Sequence, residues 1–182
     1  MKKISLLLIV ITTTASAQLR IGMDISRNYK STLGGTVGEA LGLSSNVKTD
    51  KATALTLGYE QMLLSLIGVG VEYTSGSSKG GGIPHEDASK GHQFVFGYAV
   101  AKIPVGMPMF RGIVRAGMSL PLGGQGSYGL GPAFGGGLRF KLPLFPVGAE
   151  LLYTIHNLKP DTDEALFDMS YRALNLTATY SF

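Results

Sequence analysis

The chain has 182 residues, with 16 Lys and Arg against 12 Asp and Glu, 26 Gly and no Cys. The lack of Cys excludes a disulfide framework and thiol chemistry. Mean hydropathy is positive at +0.21, yet no stretch reaches the ~20 apolar residues of a membrane-spanning helix. Frequent Gly beside alternating apolar residues suits one all-β domain whose strands each carry an oily face.

Met1-Lys2-Lys3 supplies a positive start, Ile4 to Ile11 an apolar run, and Ala15-Ser16-Ala17 a small-x-small site. This predicts a signal peptide over 1–17, cut after Ala17, and a mature domain over 18–182 that begins at Gln18. With no Cys at the junction, a lipid-anchored lipoprotein is excluded. Loss of Lys2 and Lys3 lowers the basic residues from 16 to 14 and the formal charge from +4 to +2. Nucleic-acid binding then loses its main support, and no nucleic-acid partner is expected.

Eight strands follow, each with a period of two. In the first, Leu19, Ile21, Met23 and Ile25 oppose Arg20, Gly22, Asp24 and Ser26. In the second, Thr53, Leu55, Leu57 and Tyr59 oppose Ala54, Thr56, Gly58 and Glu60. In the third, Ile67, Val69, Val71 and Tyr73 oppose Gly68, Gly70, Glu72 and Thr74. The fourth, ending at Ala101, sets Phe94, Phe96, Tyr98 and Val100 as its lipid-type face against Val95, Gly97, Ala99 and Ala101. The fifth sets Phe110, Val114, Ala116 and Met118 against Arg111, Ile113, Arg115, Gly117 and Ser119. The sixth sets Leu130, Phe134, Leu138 and Phe140 against Gly131, Ala133, Gly135, Gly137, Arg139 and Lys141, with Pro132 at a bulge or near the rim. The seventh sets Val147, Ala149, Leu151, Tyr153 and Ile155 against Gly148, Glu150, Leu152, Thr154 and His156. Val95, Ile113 and Leu152 are the apolar exceptions on the polar faces.

The eighth strand is Leu174 to Phe182. Leu174, Leu176, Ala178, Tyr180 and Phe182 share one face, and Asn175, Thr177, Thr179 and Ser181 the other. Links at 60–66, 102–109 and 143–146 are short, whereas 27–52, 75–93, 119–129 and 157–170 are long and rich in Gly, Ser, Asp and Lys. Short turns at one end and long loops at the other form the asymmetry of an outer-membrane barrel. The aromatics then sort into two belts: Tyr59, Phe110, Phe140, Phe145, Tyr180 and Phe182 near the turns, and Tyr73, Phe94, Tyr128 and Tyr153 near the loops. Phe96, Tyr98 and Phe134 are expected to face lipid between them.

Alternation alone leaves the inner face open: a lipocalin-like soluble barrel would turn its apolar face inward. The polar faces are crowded with small residues, as a narrow eight-stranded interior requires. They also carry both signs, in Arg20, Asp24, Glu60, Glu72, Arg111, Arg115, Arg139, Lys141 and Glu150. These nine are expected to form a luminal charge network that is paired when buried.

The terminal strand, with its final aromatic, resembles the targeting strand of bacterial outer-membrane barrels. The whole domain is similar to the small eight-stranded OmpX-like and OmpA-transmembrane-like proteins within the porin-family grouping. That resemblance implies an antiparallel up-and-down transmembrane β-barrel in the bacterial outer membrane, with short turns and both termini periplasmic. It implies contact with outer-membrane lipids and lipopolysaccharide, handling by the barrel-assembly machinery, and surface contacts through the loops. Non-enzymatic structural or adhesive roles are the expected use, with a narrow porin-like channel as the alternative and lipid A modification as a lesser one.

No catalytic, cofactor or metal site is expected. His85-Glu86-Asp87 with His92 share a Gly-rich loop without a fixed ligand cage. Asp161, Asp163, Glu164 and Asp168 lack the Gly and the final Glu of a calcium loop. Gly34-Gly35, Gly123-Gly124 and Gly135-Gly136-Gly137 lack the Lys-Ser or Lys-Thr of a phosphate loop. His156 is followed by Asn157 and Leu158, without the Ser two residues away that lipid A deacylases use.

Overall fold

A computed structural model describes residues 16–33, 44–49, 54–75, 93–122, 128–160 and 167–182. Ten strands are present: β1 (Ser16–Leu33), β2 (Ser44–Thr49), β3 (Leu55–Met62), β4 (Ile67–Thr74), β5 (Phe94–Pro104), β6 (Phe110–Pro121), β7 (Tyr128–Gly129), β8 (Gly131–Lys141), β9 (Val147–Pro160) and β10 (Phe167–Ser181). Eight of them form a closed antiparallel barrel in the order β10-β1-β3-β4-β5-β6-β8-β9, shut by pairing of β9 with β10. The described residues contain no helix.

Closure is staggered. Partner to partner, Gln18 leads through Glu60, Gly70, Tyr98, Gly117, Ala133, His156 and Tyr171 to Tyr29. The path regains β1 eleven residues beyond its start, one of them the extra residue of the bulge between Asp24 and Ser26. Such a stagger tilts the strands and leaves an interior only as wide as side chains can fill.

The two faces separate as the alternation requires. Leu19, Ile21, Leu55, Leu57, Val69, Val71, Val114, Phe134, Leu138, Leu151 and Leu176 are exposed, while Arg20, Thr56, Glu60, Glu72, Arg115, Glu150 and Thr177 are buried. An oily exterior around a charged interior inverts the soluble arrangement, and is stable where acyl chains replace water. Ile113 and Leu152 do point inward, joining Met62, Phe96, Tyr98, Val100 and Ala133 in an apolar cluster.

Four expectations are corrected. The fourth predicted strand is inverted: Phe94, Phe96, Tyr98 and Val100 are buried, and Val95, Gly97, Ala99 and Ala101 face outward. Phe94 therefore leaves the loop-side belt, and Phe96 and Tyr98 do not meet lipid. In β1 the bulge puts both Ile25 and Ser26 outside and brings Arg27 in. Finally, much of the chain assigned to long loops is strand. β1 continues to Leu33 with β2 folded back on it, β9 and β10 extend to Pro160 and from Phe167, and β7 pairs with the end of β9. The added parts of β1, β2 and β9 are mostly polar. At the start of β10 the apolar residues Phe167, Met169, Tyr171 and Ala173 have the parity opposite to Leu174 and Leu176, so the outward period-two pattern does not carry through these extensions.

Links 63–66, 105–109 and 142–146 lie at the same end as Ser16 and Phe182, here termed the turn side. Ala17 and Phe182 exchange two backbone hydrogen bonds there, of 3.1 and 3.0 Å. Gln18, the expected first mature residue, is the third residue of β1.

Candidate functional site

The turn-side half of the interior is ionic. Glu60 on β3, Glu72 on β4 and Glu150 on β9 project inward at alternate positions, as do Arg20 on β1, Lys102 on β5, Arg115 on β6 and Arg139 on β8. Arg115 Nη2 donates to Glu60 Oε2 at 3.2 Å and to Glu150 Oε2 at 3.0 Å, and its Nη1 reaches Glu72 at 3.5 Å. Arg20 donates to Glu150 and, at 3.2 Å, to Glu72. Lys102 pairs with Glu60 and donates to Gln18 Oε1 at 3.1 Å. Every member is buried. Charges so far from water persist only because each has an opposite charge and shaped hydrogen bonds. Tyr98 adds its hydroxyl to Glu60 at 3.4 Å, and its ring lies 4.6 Å beneath the Arg115 guanidinium.

The loop-side half is hydrogen-bonded and aromatic. Asp24 accepts from Arg27 Nε at 2.8 Å, from Asn175 Nδ2 at 2.9 Å and from the Tyr171 hydroxyl. Asn175 also reaches Thr56, and Thr177 donates to Asn175. Ser119 Oγ lies 2.6 Å from His156 Nδ1, and the imidazole packs among Phe94, Phe96 and Tyr171.

Of the nine charges expected in one network, Arg20, Glu60, Glu72, Arg115, Arg139 and Glu150 meet in the ionic half. Asp24 belongs to the other layer, with Arg27. Arg111 is exposed and Lys141 half-exposed, both lining the turn-side mouth rather than the ion pairs. They have inward-facing parity but sit where their strands end, so water reaches them. Residue alternation does not single out Lys102 or Arg27. The fourth predicted strand ends one residue short of Lys102, and Arg27 comes inside only through the bulge.

Ser119 and His156 form a pair that sequence spacing cannot show, because β8 separates their strands. Nucleophilic catalysis requires a third group orienting the base and room for a substrate. Among the described residues no carboxylate pairs with His156, and both residues are buried. The described residues hold no cluster of three or more His, Asp or Glu suited to a metal. His85, Glu86, Asp87, His92, Asp161, Asp163 and Glu164 lie outside the described residues, as do Gly34, Gly35, Gly123 and Gly124. Asp168 falls on β10, in register with Thr32.

No protein-family model and no curated protein matches the chain. Solved structures do. Neisserial surface protein A superposes with a TM-score of 0.55 at 14% identity, over 92% of this chain and 97% of that one. The chain has the fold of the small eight-stranded outer-membrane barrels. The N-terminal barrel domain of Pseudomonas aeruginosa OprF matches at 0.54 and 11%, over 92% and 97%. The attachment invasion locus protein Ail of Yersinia pestis matches at 0.51 and 14%, over 93% and 99%. The likeness lies in the backbone path, so it establishes an outer-membrane β-barrel architecture and leaves side-chain chemistry to this chain's own residues.

Proposed function

We propose that the protein is a non-enzymatic barrel of the bacterial outer membrane, delivered by a signal peptide cut after Ala17. Its interior is sealed by ion pairs, and its loop side makes structural or adhesive contacts at the cell surface. The observation that carries this reading is the radial order of the wall, with exposed Leu, Ile and Val outside and buried Arg–Glu pairs within. Three carboxylates held between four cations at the Arg115 level favour closure over conduction. The barrel fold supports contact with outer-membrane lipids, lipopolysaccharide and the barrel-assembly machinery.

Planar-bilayer recording of the pure refolded protein is expected to give silence. Steady unitary openings would replace this reading with the narrow channel. Recovery of the mature protein as a detergent-independent soluble monomer would remove the membrane reading altogether. Unchanged lipid A mass in cells carrying the protein is expected, and a changed mass would establish an enzyme.

A further inference from the structure

The turn-side mouth opens on a cavity of about 660 Å³ whose lining includes Lys102, Arg111, Arg139 and Lys141 and no Asp or Glu. The two deeper cations are matched from behind. Lys102 pairs with Glu60, and Arg139 Nε lies 3.8 Å from Glu150 Oε1. Arg139 Nη1 donates to Gln18, and its Nη2 donates to Thr179 at 3.4 Å and Ser181 at 3.2 Å. The outer two are not matched. Among the described residues, the Arg111 guanidinium reaches only the Ser65 carbonyl, at 3.5 Å, and the Lys141 ammonium has no hydrogen bond or ion pair. Arg111 is the register partner of Arg139, and Lys141 follows two positions on along the same strand. Like charges on neighbouring strands repel, so the sheet alone gives no reason for this arrangement.

The lip of the mouth is oily. Leu142, Leu144, Phe145, Met107 and Leu64 are exposed, Leu144 completely. Leu144 holds φ at 71° in the turn closed by Phe145 N to Leu142 O, a left-handed position that Gly or Asn normally takes. A large apolar side chain is therefore kept fully outward at a conformational cost. A cationic cup inside an apolar rim suits an anion carried at, or dissolved beside, a membrane surface.

We propose that this vestibule binds a phosphate group, carried either by a soluble phosphate compound or by a phospholipid headgroup whose chains lie against the lip. A phosphate presents three acceptor oxygens and up to two charges. It can engage the Arg111 fork and the Lys141 ammonium together, and its second charge balances both cations where a single carboxylate would neutralise only one. The phospholipid source rests on the membrane reading above, and the soluble source does not.

The test uses the refolded barrel in a phosphate-free maltoside detergent. Pyrophosphate is titrated by calorimetry, and retention of phosphatidylglycerol or of diacylglycerol is followed by native mass spectrometry. Wild type is compared with the double variant Arg111→Gln/Lys141→Gln and with Arg172→Gln on the loop-side part of β10. Heat-modifiable migration verifies that each variant is folded. One equivalent of pyrophosphate and of phosphatidylglycerol is expected, weakened roughly tenfold or more in the double variant and unchanged in Arg172→Gln. Phosphatidylglycerol alone would assign the phosphate to lipid, and pyrophosphate alone to a solute. Equal retention of diacylglycerol, no binding of either phosphate, or equal binding by the double variant would overturn the site. A barrel that needs no detergent would sink the membrane reading while leaving the pyrophosphate result to stand.

Discussion

β5 and β6 lie side by side, pair over eleven residues, and send different chemistry to the same interior. β6 turns Ile113, Arg115 and Ser119 inward and leaves Val114, Ala116 and Met118 outside. β5 turns Phe94, Phe96, Tyr98, Val100 and Lys102 inward and leaves Gly97 and Ala99 outside. The difference shows that an eight-stranded interior has a volume to fill as well as charges to pair. Glycines make room for the bulk: Gly70 and Gly117 are the two register partners of Tyr98. A Cβ on Gly70 would come within 2.5 Å of the Tyr98 ring, and one on Gly117 within 1.9 Å of the Gly97 carbonyl oxygen. The lipid-facing side of β5 can be small because lipid conforms to it.

The sharpest break of this comparison is at Arg115. Its removal in Arg115→Ala leaves the clustered Glu60, Glu72 and Glu150 with one shared buried cation fewer. A loss of ~3–5 kcal/mol is expected in denaturant-dependent refolding, with any residual folded protein more conductive than wild type. Phe96→Ala on the neighbouring strand should cost about 3 kcal/mol by the same measurement, through a cavity among Tyr98 and His156. Were Phe96 on the lipid face, the change would be nearly neutral.

Next come Val114→Arg and Ala99→Arg, one outward residue from each strand, each expected to cost ~2–4 kcal/mol near the bilayer midplane. Tolerance of Ala99→Arg alone would mean that β5 is in the opposite phase. The smallest effect belongs to Gly70→Ala, about 1–3 kcal/mol, because the Tyr98 ring must shift. In Gly70→Ala/Tyr98→Phe the cost should persist, since the obstruction is mostly ring carbon.

Most of the wall is legible from residue alternation: seven of the eight barrel strands have the expected outward face. β5 misleads because its two faces are aromatic and small, and neither is polar between Phe94 and Ala101. Lys102 decides the phase. It follows the parity of Phe94, Phe96, Tyr98 and Val100, so a strand carried to Pro104 with those aromatics in lipid would have to place the ammonium there as well. The bulge after Asp24 leaves no comparable mark, because Ile25-Ser26-Arg27 fits either phase until the ladder is known. The Ser119–His156 contact and the split of the charges into two layers depend on the stagger between strands, which no single strand encodes.

The ladder between the first and last barrel strands is the longest in the molecule, running from Gln18 with Ser181 to Leu33 with Phe167. Until that seam zips, a curled sheet carries two long bare margins, each a template for another copy of the chain. Because these contacts join opposite ends of the polypeptide, they are costly in loop entropy and slow to find. Insertion thus has a kinetic bottleneck at its final step, where a chaperoning surface that holds one margin until the other arrives would suppress strand exchange between molecules.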